Sequence, residues 1–96
     1  MKMFAFIYAD YFDERITNDF KQADYKHYTK VHGTTGEGGE SDAKLNTPFA
    51  PGRNNILYIA VPDEEISKLL EIVRRLRKEY PDAGFRAFTY QLEECV

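Results

Sequence analysis

The sequence predicts an α+β fold: a four-stranded antiparallel sheet carrying two helices, in the order βαββαβ. Two short runs, residues 2–10 and 54–61, are apolar almost without a break, the pattern of strands buried on both faces. Two other stretches, following Asp13 and Asp63, repeat their apolar residues at helical spacing. Five of the six glycines fall before residue 53, in one interruption between the halves.

The first strand is Met3-Phe4-Ala5-Phe6-Ile7-Tyr8-Ala9. Over residues 13–24 the period changes: Ile16, Phe20 and Ala23 stand at i, i+4 and i+7, with Asp13, Glu14 and Asp19 between them, which makes a short amphipathic helix. Acidic residues crowd its first turn, where the helix dipole favours them. Residues 26–32 alternate weakly and contain β-branched and aromatic side chains, so a second strand is expected there, ended by Gly33. From Gly33 to Asn55 glycines and prolines break every pattern. So long a loop in a small domain is usually functional or mobile. Ile56-Leu57-Tyr58-Ile59-Ala60-Val61 forms a second central strand. Pro62-Asp63-Glu64-Glu65 opens a helix with Asp63 as its expected N-cap. Ile66, Leu69, Leu70, Val73, Leu76 and Tyr80 give that helix its apolar stripe. Pro81 to Gly84 stops it, and residues 85–92 form the last strand. The order is that of a ferredoxin-like split βαβ unit.

Ninety-six residues make a single domain, 1–96, with a flexible loop at about 34–54. Sixteen Asp+Glu outweigh 13 Lys+Arg, which excludes a non-specific nucleic-acid binder. Hydrophobic residues at 43% and aromatics at 15% exclude a disordered chain. No apolar run approaches the ~20 residues of a membrane span, and the N-terminal segment is too short for a secretory signal. The lone Cys95 excludes an internal disulfide framework and a multi-Cys zinc site. A cytoplasmic protein is expected.

Two helices cover only one face of a four-stranded sheet, yet both central strands are apolar on both faces. An exposed apolar patch of more than a few hundred Å² is unusual in a soluble monomer. A second copy of the chain is the simplest cover, and closed homo-oligomers are the common solution.

Several segments resemble a known family. Val61-Pro62-Asp63-Glu64-Glu65 with its helix, and Gly84-Phe85-Arg86-Ala87-Phe88-Thr89-Tyr90-Gln91-Leu92-Glu93-Glu94, resemble the second half of the PII nitrogen-regulatory proteins. Thr29-Lys30-Val31-His32-Gly33-Thr34-Thr35-Gly36 resembles the strand and glycines that open that family's long T-loop. Pro51-Gly52-Arg53-Asn54-Asn55-Ile56-Leu57-Tyr58 looks most like an uncharacterised branch of PII homologues. The resemblance spans essentially the whole chain. It implies a homotrimer of ferredoxin-like subunits, a small-molecule effector bound in the clefts between subunits, and a T-loop that signals to a regulated partner protein. The identity of that ligand is left open by the sequence; an adenine nucleotide is one candidate, from the family's nucleotide-binding branch. Three parts of the family pattern are absent: the Thr-Gly-x-x-Gly-x-Gly-Lys phosphate loop before the last strand, the basic and Gln residues after the first T-loop glycines, and the T-loop tyrosine that is uridylylated. Only Tyr80-Pro81-Asp82-Ala83-Gly84-Phe85-Arg86 stands where the phosphate loop belongs, and Glu37, Glu40 and Asp42 follow the first glycines. A nucleotide would lack its usual phosphate cradle.

The residues themselves offer three ligand-facing groups. Gly33, Gly36, Gly38 and Gly39 can present backbone N–H groups to an anion or simply keep a loop flexible. Arg53, beside Asn54 and Asn55 where the loop re-enters the sheet, can grip a phosphate or carboxylate bidentately or belong to a turn. Arg86 is the third candidate. His27 and His32, with Asp42 or Glu40, form the metal-binding alternative, but an i, i+5 pair on one strand projects to opposite faces. The run Arg74, Arg75, Arg77 and Lys78 reads as a solvated helix end. Cys95 lies beside Glu94, whose charge disfavours a thiolate. No nucleophile, zincin or Walker pattern is present, so a non-enzymatic protein is expected. Three functions remain open: a PII-like regulatory trimer, a metal-binding trimer resembling the CutA proteins, and a structural interaction module without a ligand.

Overall fold

The structure, a computed structural model, describes residues 1–36 and 53–96. Strand β1 (Lys2–Ala9) leads through a 3-10 turn (Asp10–Phe12) into helix α1 (Asp13–Gln22). Strands β2 (Thr29–Thr34) and β3 (Asn54–Val61) follow, then a second 3-10 turn (Asp63–Glu65), helix α2 (Ile66–Glu79) and strand β4 (Arg86–Gln91). The strands form one antiparallel sheet in the order β2-β3-β1-β4. The expected βαββαβ architecture is present, with the two apolar strands in the centre. Most of the expected 34–54 loop, including Gly38, Glu40 and Asp42, lies outside the described residues.

Alternation along β1 divides the sheet into two faces. Phe4, Phe6 and Tyr8 point to the helices and are essentially fully buried, together with Leu57 and Ile59 of β3. Ile16 and Phe20 of α1 and Leu69, Val73 and Leu76 of α2 close over them. Phe20 is wedged between Phe4 and Phe6, with ring centroids 5.7 and 5.9 Å away. Phe85 meets Phe6 and Phe12 edge-on at 5.5 and 5.0 Å, the orientation that aromatic quadrupoles favour.

The other face has no helix. Its cross-strand rows are Ala60–Met3–Tyr90, Tyr58–Ala5–Phe88 and Ile56–Ile7–Arg86. Phe88 and Tyr90 are 55% and 49% exposed, and Val31 of β2 is 41% exposed. Among the described residues no helix covers this surface, and only the segment before β2 approaches one edge of it, near Met3 and Tyr58.

Three local expectations are corrected. β2 begins at Thr29 rather than residue 26 and runs through Gly33 to Thr34. Its register slips between Val31 and Thr34, and Gly33, at φ +69°, takes the left-handed conformation inside that irregularity. A glycine in a bulge extends the strand instead of ending it. Asp63 does not cap α2: Ile66–Glu79 starts after the 3-10 turn, with no side-chain cap. The Asp63 carboxylate instead pairs with the amino terminus at 2.9 Å, which lowers its pKa. Finally, α1 ends at Gln22. Asp24 takes φ +72° while Tyr25 N–H reaches the Phe20 carbonyl and Asp24 N–H the Lys21 carbonyl. These two bonds are a Schellman termination with an aspartate where glycine is usual.

Candidate functional site

The apolar strand β1 ends at Tyr8-Ala9, and the apolar strand β3 begins with two buried amides, Asn54 and Asn55. Antiparallel register places Tyr8 opposite Asn55 and Ala9 opposite Asn54. Polar groups are thus forced together at one end of the sheet, where buried donors and acceptors must find partners. The Tyr8 hydroxyl donates to Asp13 Oδ1 at 2.6 Å. From β2, Lys30 Nζ donates to Asp13 Oδ2 at 3.1 Å and also to Thr17 Oγ1 on α1. Its ammonium stands over the Tyr28 ring, 5.4 Å from the centroid. The Asn55 amide beside them favours the charged forms of both Tyr8 and Asp13.

The electrostatics follow from these contacts. Burial raises the Asp13 pKa, but hydrogen bonds from Tyr8, Lys30 and Asn55, with the Lys30 charge, outweigh it and hold the pKa below the ordinary value. Burial, reinforced by the hydrogen bond and charge of Asp13, pushes the Tyr8 hydroxyl well above its ordinary value. Both shifts lead away from neutrality, so neither group is tuned for proton transfer near pH 7. Asn55 is 2% exposed and its Oδ1 is buried without a hydrogen-bond partner among the described residues.

Above this network lies an open cleft of about 550 Å³ lined by Asp10, Tyr11, Asp13, His32, Gly33, Arg53 and Asn55. The backbone pins its rim: Asp10 N–H donates to the Arg53 carbonyl at 3.1 Å, and the Thr34 hydroxyl donates to the Asn54 carbonyl at 2.9 Å. β2 and β3 are held together at the point where residues 35–53 leave and return. The cleft mixes one guanidinium and one imidazole with two carboxylates, of which Asp13 is already neutralised by Lys30. It can offer a cation to an anionic group beside hydrogen-bonding amides.

The structure brings Gly33 and Arg53 into this cleft; the buried Asn54, next to Arg53 in the chain, is not among the residues that line it. Gly36 is exposed, with open space around it, and does not line the cleft. Arg86 stands opposite Ile7 on the uncovered sheet face, away from it. Gly38 lies outside the described residues. His32 lines the cleft, whereas His27 precedes β2 and lines a separate depression with Met3, Tyr28 and Tyr58. The described residues contain no group of three or more His, Cys, Asp or Glu able to hold a metal ion. The Tyr8–Asp13–Lys30–Asn55 network escapes a reading of the sequence. Its only signals are a tyrosine closing an apolar strand and paired asparagines opening another.

No family model and no curated protein matches the sequence. Solved structures do. CPII, a nitrogen regulatory PII-like protein from Thiomonas intermedia K12 bound to ADP, AMP and bicarbonate, superposes with a TM-score of 0.68 at 21% identity, over 99% of this chain and 94% of that one. The chain folds as PII-like proteins do. CPII bound to ADP and bicarbonate gives a TM-score of 0.69 at 21% identity, over 93% and 82% of the two chains. A PII-like signaling protein from Thermus thermophilus gives 0.62 at 24% identity, over 93% and 83%. The PII-like fold is therefore shared along nearly the whole length, without close sequence kinship. No described helix is long and apolar enough to cross a membrane.

Proposed function

We propose that this chain is a PII-like regulatory protein and not an enzyme. It assembles as a homotrimer through the uncovered sheet face, binds a small ligand in a cleft between subunits, and signals to a partner protein through the loop 34–54. The observation that carries this reading is the convergence of Arg53, His32 and Gly33 on one cleft at the root of that loop. A ligand held there touches both ends of the loop at once. It favours one loop arrangement over others only by binding it more tightly, as an order–disorder switch requires. The exposed Phe88 and Tyr90 support assembly, since a neighbouring copy removes them from water. CPII, bound to ADP, AMP and bicarbonate, suggests which small molecules to try first. Adenine nucleotides remain candidates although the usual phosphate loop is absent from this sequence. The ligand-facing group is then Arg53 with Gly33 and Asn54, joined by Gly36, Gly38 and Arg86 where a second copy completes the cleft.

The test is calorimetry of the native assembly against adenine nucleotides, bicarbonate and 2-oxoacids. One of these binds, and Arg53→Ala weakens it by roughly tenfold or more, the scale of a lost charge-assisted hydrogen bond. Silence across the panel, or an Arg53→Ala variant that binds as well as the parent, overturns the reading.

A further inference from the structure

The helix layer carries a second concavity that the proposed assembly leaves free. It lies between the end of α1 and the outer side of α2, on the side of the molecule away from the uncovered sheet face. Its volume is about 620 Å³. Ala23, Tyr25 and Ile72 make an apolar floor, and Lys68, Arg74, Arg75 and Lys78 stand around it with a single carboxylate, Glu71. These cations are spread through the solvent: Lys68, Arg74 and Arg75 are 72%, 65% and 67% exposed. Their pairings are weak. Arg74 meets Glu71 at 3.2 Å within α2 and Lys68 meets Glu65 of the preceding 3-10 turn at 3.3 Å, while Arg75 reaches Asp19 only at 3.9 Å. Exposed pairs of this kind contribute little to stability, so the cations remain available. The lining itself holds four cations and one carboxylate; with Glu65 and Asp19 beside it the groove still keeps a positive excess, in a chain of net charge −3.

We infer that this groove docks an acidic peptide segment of a partner protein, with an apolar side chain seated on Ala23, Tyr25 and Ile72 and carboxylates facing Lys68, Arg74, Arg75 and Lys78. The chemistry of the groove selects this occupant. A solvated helix end needs no apolar floor, whereas an apolar anchor ringed by complementary charge is the common plan of a peptide-binding surface. Duplex nucleic acid fits less well, because the basic area is one groove on an acidic molecule. A lipid surface fits less well because the apolar residues line a concavity among cations instead of forming a projecting apolar face. Asp24, at positive φ, sets the direction in which the chain leaves α1 and so places Tyr25 at the groove. The Tyr25 hydroxyl is buried there with no hydrogen-bond partner among the described residues, and burial, with the nearby Glu65 charge, raises its pKa.

The experiment uses the full chain and a nine-residue synthetic peptide with glutamates flanking a central Leu-Phe pair. Two control peptides replace the glutamates with glutamine or the Leu-Phe pair with alanines. Fluorescence anisotropy shows saturable binding of the parent peptide, weakened about tenfold or more by either control and by raised salt. The double variant Arg75→Glu, Lys78→Glu abolishes it, and Ala23→Glu, a change at an exposed position that adds charge to the floor, weakens it independently. Circular dichroism confirms that both variants fold. Equal binding of all three peptides, or no saturable binding to the folded parent chain, overturns the inference. So does tighter binding of duplex DNA or of phosphatidylserine vesicles through the same residues. Binding of nucleotides or bicarbonate at the Arg53 cleft is unaffected by either variant, so this test and that of the regulatory reading fail separately.

Discussion

The Tyr8 hydroxyl donates to the Asp13 carboxylate at 2.6 Å, joining the end of a central strand to the first residue of the helix that follows it. A tyrosine facing the core would otherwise bury an unpaired hydroxyl, and a helix-opening aspartate would otherwise sit in water. Tyr8→Phe removes the donor while keeping the ring. The expected loss is about 1.5–3 kcal/mol, the range for a hydrogen bond to a charged group, measured as a lower urea midpoint with unchanged slope. A variant as stable as the parent would show that the bond merely compensates the burial of the hydroxyl.

Asp13 also makes stability depend on pH. Its folded pKa lies below the ordinary value because Tyr8, Lys30 and Asn55 favour the charged form. The unfolded chain therefore binds more protons in this range, and stability falls as pH drops. The contribution is fully present above the unfolded pKa, about 4, and disappears as pH falls through the depressed folded value. Asp13→Asn flattens this part of the stability profile and lowers stability at pH 7. Denaturation measured between about pH 6 and pH 2 checks both; an acid limb with unchanged steepness in the variant would assign it to other carboxylates.

Asp24 holds a left-handed conformation at the end of α1 that glycine adopts without cost. Among the described residues its side chain pairs with Lys26, at 3.5 Å and with both groups largely exposed. Asp24→Gly is expected to raise stability by about 0.5–1 kcal/mol, since the relief of backbone strain outweighs the added freedom of the unfolded chain. Thermal unfolding reads this as a small rise in Tm, and a fall would mean that the aspartate contributes more than its ion pair.

Phe88 stands halfway along the edge strand β4 on the uncovered sheet face, across from Ala5 and beside the row of Tyr90. Phe88→Glu places a charge where the proposed assembly excludes water. The parent chain is expected to elute above the monomer mass by light scattering. The variant shifts toward monomer, its dissociation constant raised at least about tenfold, without loss of secondary structure. Identical masses for both proteins would place the interface elsewhere.

The legible parts of this fold are those where one physical rule acts alone. The apolar run 54–61 matches β3 residue for residue, and the stripe from Ile66 to Leu76 lies along α2. β2 is blurred because Lys26, His27 and Tyr28 alternate as a strand does but precede the pairing, which begins at Thr29. Asp63 looks like a cap because aspartate before an apolar stripe usually is one, and only the tertiary approach of the amino terminus diverts it. Within the site, Arg53 and Gly33 are visible from their place at the ends of the loop. The Asp13–Lys30 pair is not, because the two residues are brought together by the crossing of β2 beside α1, and no spacing in the sequence encodes that crossing.

The antiparallel order β2-β3-β1-β4 also has a consequence for synthesis. β1 forms its ladders only with β3 and β4, so a ribosome releases Phe4-Ala5-Phe6-Ile7-Tyr8 long before either neighbour exists. Contacts this distant along the chain slow folding and leave unpaired edges open to aggregation. The nascent polypeptide must shelter its stickiest stretch, against the emerging Phe20 or in the care of a chaperone, until residues 54–61 arrive to zip it in.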